Sequence, residues 1–598
     1  MKFKKFIALG LVGMLSAAAL IGCEKGGTGT AGGEGTGTGT ATVVDGGVDD
    51  KGQAVKKEYS DDEIVEMSFF ATMTGTEINN GANDIQKEIA KRTGVSVKER
   101  WLVGQTASEA VETLIATGNL PDFIDGGDGC QKLYDEGLLV PWDEYLEMYP
   151  NLKEMYNDYE WSQFRQADGH IYWANIFQNS WEGIAAGNTH NDEAFWVQVK
   201  VLEWDNYPTI KTLDQYFDLL ERYYAANPTF TDNSGKVINV VPYSVCTFDW
   251  LYFSIENPGQ FLAGYPNDGS VIVDTTTKKI VDYNTTDVTK KYFKKLNEEY
   301  KKGIIDKEFA TQSEEQYKEK VNSGRVLGLV DQNWHFNVEA SGAFNDKGGS
   351  LHDLGLEYVP LGITIDESVT ENRWHTYGDT LNTSSGIGVT TSCADPNKAF
   401  AFLSACLDDD VHNLRFWGIE GEDYLVDDNG LFYRTQEIRD KWNDPDYQAS
   451  HICAYGYFPQ FGGMCKDGIN ARMPGDQVSE FQLSLSDDVK KCFDAYNANN
   501  FPDMIGSVVE PNHCWFPMWS YSNTLTDVSQ SDGAAAWINM GKIKHEWIPK
   551  VVTADDFDAT WDKYMDAYAG TKPEDFLAEM QGELDKRIAA AAEAGITY

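Results

Sequence analysis

Basic residues are scarce in this 598-residue sequence: 49 Lys and Arg stand against 94 Asp and Glu, a net charge of −45. A nucleic-acid-binding surface needs a cationic footprint that displaces counterions, so nucleic acid is excluded as a partner at the outset. Catalytic signatures are missing too. The chain has no Gly-x-Ser-x-Gly elbow, no P-loop and no His-Glu-x-x-His pair. Its nine cysteines include no Cys-x-x-Cys, and His451, Cys453 and Cys465 match no established zinc spacing, so neither a metal nor a cofactor is expected. No apolar run after residue 21 reaches the length of a membrane span. What remains has ordinary globular composition, 42% hydrophobic and 24% charged, and is too long for a single core.

The first residues carry the address. Met1 to Lys5 holds three lysines, and Phe6 to Ile21 is apolar or small, the length of a signal-peptide core. The run ends in Leu20-Ile21-Gly22-Cys23, which resembles the bacterial lipobox. That resemblance implies a signal peptide over residues 1–22, lipid on Cys23 and attachment to the extracytoplasmic face of the cell membrane. Residues 23–58 are rich in Gly and Thr, with little to bury, and read as a flexible tether. The body begins at residue 59, and the other eight cysteines read as small buried hydrophobes.

Within the body, strand-like and helix-like segments alternate. Glu66 to Phe70, Val95 to Val97 and Pro121 to Asp125 read as strands, with helices over Ala82 to Lys91 and Ala107 to Thr117 between them. Further strands are expected at Arg325 to Asp331, Leu356 to Leu361 and Gly386 to Thr390, and the last third is mainly helical. This rhythm predicts an α/β fold with mostly parallel sheets, whose ligands sit at the carboxyl ends of strands. Thr74, Glu77 and Asp125 fall at such ends.

Aromatics make up 13% of the chain, including 17 Trp. A sugar offers an apolar C–H face and a rim of hydroxyls, so its binding site combines a flat aromatic ring with polar neighbours. Trp334 lies between Asn333 and His335 just after a predicted strand, and Trp374 between Arg373 and His375. Trp181 precedes Glu182, and Trp515 stands in a proline-punctuated loop. These four tryptophans, with His375, are the candidate ligand contacts. Carboxylate pairs carry no comparable weight, because 94 acids place them everywhere.

Several segments resemble, in order, the solute-binding lipoproteins of bacterial carbohydrate ABC importers, the larger relatives of maltose-binding protein. They are Ala116-Thr117-Gly118-Asn119-Leu120-Pro121-Asp122, Asp168-Gly169-His170-Ile171-Tyr172, Tyr300 with Gly303-Ile304-Ile305-Asp306, and Gly418-Ile419-Glu420-Gly421-Glu422-Asp423-Tyr424. The resemblance spans residues from about 64 to 570. It implies a two-lobed periplasmic-binding-protein type II fold with hinge crossovers and a helical C-terminal region. One lobe would comprise about 59–180 plus 380–445, and the other about 181–379 plus 446–598. It also implies a monomeric receptor, not an enzyme, that captures an oligosaccharide or sugar conjugate and passes it to permease subunits. A surface-anchored carbohydrate-active enzyme and a peptide-binding receptor of the same fold are the alternatives. Some relatives carry an acidic calcium loop after the helix ending near Ala226; here Asn227 to Lys236 holds one acid, too few oxygen ligands for calcium.

Overall fold

Two stretches of the chain bury apolar side chains on both faces of extended backbone, and each founds a separate sheet. The computed structural model describes residues 58–596 except 75–82, 178–186, 267, 379, 443, 445, 448–450, 452–454 and 510–512. The signal segment, Cys23, most of the tether, Glu77 and Trp181 therefore lie outside the described residues. Eight strands make the two sheets: β1 (Val65–Thr74), β2 (Val95–Leu102), β3 (Phe123–Asp125), β4 (Glu193–Gln198), β5 (Val241–Ser244), β6 (Val326–Gln332), β7 (Tyr358–Leu361) and β8 (Ile387–Val389).

The first sheet has the order β8-β3-β1-β2. β1 runs parallel to both β2 and β3, and β8 antiparallel to β3. Met67, Phe69, Phe70 and Ala71 of the central strand are all buried, as a strand covered on both faces requires. Helices α1 (Asp84–Thr93) and α2 (Ala107–Thr117) supply part of the cover. Each starts at a side-chain cap, Asn83 or Thr106, and stops at a left-handed glycine, Gly94 or Gly118. The core also takes in Trp142, Trp161 and Phe400, and Tyr455, Phe458 and Phe461. The last three correct the expected boundary at 445/446. Their rings close over Phe69, Phe123 and Phe402, so the chain stays with the first lobe until after Phe461.

The second sheet has the order β7-β4-β6-β5 and is mixed rather than mostly parallel. β5 and β6 are parallel, while β4 runs against both β6 and β7. The register gives the reason: Glu193, the first residue of β4, pairs with Gln332, the last of β6. The chain arriving from the first lobe enters this sheet at the edge where β6 leaves it, so β4 must run backwards. Tyr216, Phe217, Tyr243, Phe261 and Tyr292 build its core together with the C-terminal helices Asp532–Val552, Phe557–Ala569 and Pro573–Glu593. Tyr159, early in the chain, also packs here, and its hydroxyl donates to the Cys514 carbonyl at 3.1 Å. No described helix is long and apolar enough to cross a membrane.

The outgoing and returning chains meet at the edge of the first sheet where β3 ends. Ala174 and Ile387 exchange backbone hydrogen bonds of 3.2 and 3.0 Å, and the Trp173 indole donates to the Thr383 carbonyl at 3.0 Å. The close approach needs glycine at 386: φ is +157°, and a Cβ there would stand 2.2 Å from the Ala174 carbonyl oxygen.

Candidate functional site

The carboxyl ends of the parallel strands lie along one edge of each sheet, where ligands of α/β proteins bind. On the first lobe this edge holds Thr72, Trp101 and Asp125, at or near the ends of β1, β2 and β3. Asp125 is buried and accepts the Gly127 amide at 3.1 Å; burial nevertheless pushes its carboxyl up to about 6. Gly127 lies directly over the Thr72 hydroxyl, which is buried without a hydrogen-bond partner among the described residues: a Cβ at 127 would come within 2.5 Å of it. Tyr457 closes this nest from above, with Trp101 at 5.0 Å and Phe177 at 5.1 Å, both edge-on. The Trp101 indole N–H is buried and has no partner among the described residues. Thr74 is the last residue of β1.

On the second lobe the edge is aromatic. β6 ends at Gln332, and Trp334 stands in the first turn of the helix that follows, Asn333–Asn345. Its indole donates to the Gln332 side chain, which fixes the ring's edge. The segment after β5 carries Trp250, 38% exposed, and the Trp250 and Trp334 rings are parallel within 3°, with centroids 5.9 Å apart. Asp249, next to Trp250, has a left-handed backbone (φ +51°), an arrangement that costs free energy in a non-glycine residue and concentrates at functional sites. Asn333 meets Asn191, from the crossing segment, at 3.4 Å.

Carboxylates connect the two edges. The carboxyl of Asp128, just past β3, is raised above the usual range, first by the loss of solvation beside the protein and then by the Asp249 carboxylate of the second lobe. Asp249 is raised in turn, first by burial and then by Glu109, against the pull of the Trp250 amide and His545. Glu109 is held in place by the capping box of α2, where it accepts the Thr106 amide at 3.0 Å. Asp249 of the second lobe thus lies within electrostatic reach of Asp128 and Glu109 of the first. This arrangement can stack a sugar ring and accept hydrogen bonds from its hydroxyls. It repels anions.

The other candidates fall in different places. Trp374 is not a platform. It is 0% exposed, stacks on Phe261 at 4.1 Å, meets Phe195 edge-on at 5.6 Å and donates to the Ile363 carbonyl at 2.6 Å. Its polar sequence neighbours point elsewhere, Arg373 to the Gly264 carbonyl at 2.8 Å and His375 to His190, Nδ1 to Nδ1, at 2.9 Å. His375 is partly buried beside the crossing segment, and burial lowers its pKa to about 4. Trp515 is 3% exposed, with His513 stacked at 4.4 Å and the Lys278 amine over its ring at 4.3 Å. It edges a second-lobe cavity of about 300 Å³ that Tyr265, Asp268 and Arg373 also line.

Sequence reasoning missed Trp250, Asp249, Tyr457 and Trp101. The signal for the first two was the loop Phe248-Asp249-Trp250, aromatic and acidic together, but the strand before it contains Pro242 and does not read as a strand.

Comparison with known proteins agrees with this architecture. YtcQ of Bacillus subtilis (strain 168), a polygalacturonan/rhamnogalacturonan-binding protein, is 22% identical over 379 residues, 62% of this chain and 69% of YtcQ. The lipoprotein LipO of the same organism is 25% identical over 256 residues, 41% of this chain and 46% of LipO. The S. pneumoniae ABC-transporter substrate-binding protein FusA, solved as an EF-hand mutant with fructo-nystose, superposes with a TM-score of 0.58 at 15% identity. That match covers 88% of this chain and all of FusA, and bears out the two-lobed α/β fold. Residues 84–418 match the family model of bacterial extracellular solute-binding proteins, and the chain belongs to that family.

Proposed function

We propose that this chain is the capture subunit of a carbohydrate ABC importer, holding a neutral oligosaccharide between the acidic edge of the first lobe and the Trp250–Trp334 edge of the second. The observation that carries the reading is that parallel indole pair, flanked in sequence by Asp249, Gln332 and Asn333, with the Asp249 charge felt by Asp128 of the first lobe. The polygalacturonan/rhamnogalacturonan-binding name of YtcQ supports a carbohydrate ligand, and the FusA complex with fructo-nystose a neutral one; the polyuronate ligand of YtcQ is the class from which local charge sets this chain apart. Neutrality follows from the local charge: a uronate would bring its carboxylate toward Asp128, Asp249 and Glu109, inside a chain whose net charge is −45. Capture is binding alone, with no bond made or broken, and the loaded protein delivers its sugar to the permease.

A thermal-shift panel of fructo-oligosaccharides, rhamnogalacturonan fragments and oligogalacturonides, run at low and at moderate salt, tests this. Neutral oligosaccharides should raise the melting temperature, and oligogalacturonides of equal length should bind more weakly, most clearly at low salt. Tight, salt-insensitive binding of an oligogalacturonide sinks the charge argument. Release of shorter products from a bound oligosaccharide would show a hydrolase instead.

The same reading includes an anchor. Cys23 carries lipid after signal cleavage and holds the protein at the membrane surface. Cys23→Ser should move the protein from the membrane fraction to the medium with ligand affinity unchanged. A variant that stays with the membrane refutes the anchor.

A further inference from the structure

Behind the Trp250–Trp334 pair lies a second group of side chains, closed off from solvent. His335 follows Trp334 directly, and its side chain is 2% exposed. Its Nδ1 stands 2.8 Å from Asp331 Oδ2, and its Nε2 3.4 Å from Glu314 Oε1. The same Asp331 oxygen accepts the Tyr317 hydroxyl at 2.8 Å, and the other accepts the Gln332 amide at 2.7 Å. The Tyr317 ring lies parallel to the imidazole within 7°, centroids 5.9 Å apart. Lys318 sits 2.8 Å from Glu314. One imidazole therefore ties together the end of β6, the helix Glu314–Asn322 and the first turn of the helix that bears Trp334.

We propose that His335 is a positioning residue of the ligand site: bridged between Asp331 and Glu314, it fixes the strand-to-helix turn that sets the angle of the Trp334 ring. This rests on the reading of Trp334 as a ligand surface. The geometry suits the doubly protonated ring, whose Nδ1 donates to Asp331 while its Nε2 stands at ion-pair distance from Glu314. A neutral imidazole has a single N–H and can donate to only one of the two carboxylates. Burial works against the charged ring, but Asp331 first and Glu314 second outweigh it and raise the pKa to about 9. Lys318 opposes them weakly; the Cys246 thiol feels Asp331, Glu314 and Lys318, the Tyr317 hydroxyl and Glu193 feel Asp331, and Asp249 feels Glu314. Glu314 is pulled down to about 2, against its burial, by His335 and Lys318. The signs follow. The histidine's contribution is complete below its ordinary 6.5 and disappears as pH rises through about 9, and that of Glu314 is complete above 4.5 and disappears as pH falls through about 2. Across neutral pH the bridge is intact.

The test reads the ring itself. The full chain is labelled with 5-fluorotryptophan, and the Trp334 resonance is assigned by its loss in Trp334→Phe. Between pH 7.5 and 10 that resonance should move with a midpoint near 9. In His335→Gln the transition should vanish, with the resonance near its high-pH position throughout. Glu314→Gln keeps the imidazole but removes one of its carboxylates, so its midpoint should fall by roughly one unit; this variant decides the matter should His335→Gln not fold. A resonance that does not move, or one that titrates identically in the variants, overturns the proposal. The readout needs no sugar. If the transition is present and no oligosaccharide binds, the carbohydrate reading fails and the positioning role stands.

Discussion

Trp374→Ala should cost about 3–5 kcal/mol of stability, the largest effect expected of any tryptophan substitution considered for this site. The indole has no exposed surface and fills the space between Phe261 and Phe195. Its N–H also satisfies the Ile363 carbonyl, so truncation opens a cavity and strands a buried acceptor at once. Urea denaturation should show the loss, and the molecules that remain folded should bind oligosaccharide as the parent does. An unchanged midpoint together with lost affinity would move Trp374 out of the core and into the cleft.

The opposite pattern is expected of Trp250→Ala and Trp334→Ala. A sugar stacked on either ring loses roughly 1–3 kcal/mol when the ring is removed, about tenfold to more than a hundredfold in affinity. Melting should change little, because Trp250 is 38% exposed and Trp334 is itself only partly buried. The two rings are parallel neighbours, so a shared sugar makes their losses non-additive, and the double variant should lose less than the sum of the single ones. Isothermal titration of the four proteins gives the cycle. Full additivity would mean that the two rings meet different parts of the ligand or that one meets none.

The contrast between Trp334 and Trp374 shows how far sequence reaches here. Both tryptophans stand between hydrogen-bonding residues, and both looked like platforms. Trp334 follows a strand whose end the apolar run marks clearly, so its place at the sheet edge was legible. Trp374 lies in a segment with no regular element, where polar neighbours report only their own directions; the ring turns inward while Arg373 and His375 turn away from it. The helices Ala107–Thr117 and Leu213–Ala226 were readable to the residue, because amphipathic spacing, a Thr cap and a Gly or Asn stop agree. β4 was not readable. All six of its residues are buried, Glu193 and Gln198 included, so there is no alternation, and the apolar run Ala194-Phe195-Trp196-Val197 is too short, and too close to the helix that follows, to tell strand from helix. β5 was hidden by Pro242, which is tolerated because the strand lies at the edge of its sheet. With β5 unseen, the Asp249–Trp250 half of the site had no strand end to hang on. The facing of Asp128 and Asp249 arises only when two lobes fold together, and no local pattern carries it.

The His190–His375 contact admits a single placement of its protons. His190 Nε2 lies 3.0 Å from the Glu193 carbonyl oxygen, which can only accept, so that nitrogen holds the hydrogen. His190 Nδ1 is then a bare lone pair, and His375 must supply the hydrogen between the two rings. Both rings are neutral, their pKa values depressed to about 3 and about 4 by burial, so the arrangement persists throughout the neutral and mildly acidic range. The last site in the chain, Nε2 of His375, is consequently an acceptor. Whatever meets that nitrogen has to donate, because the polarity at this end of the pair is set at a backbone carbonyl two rings distant.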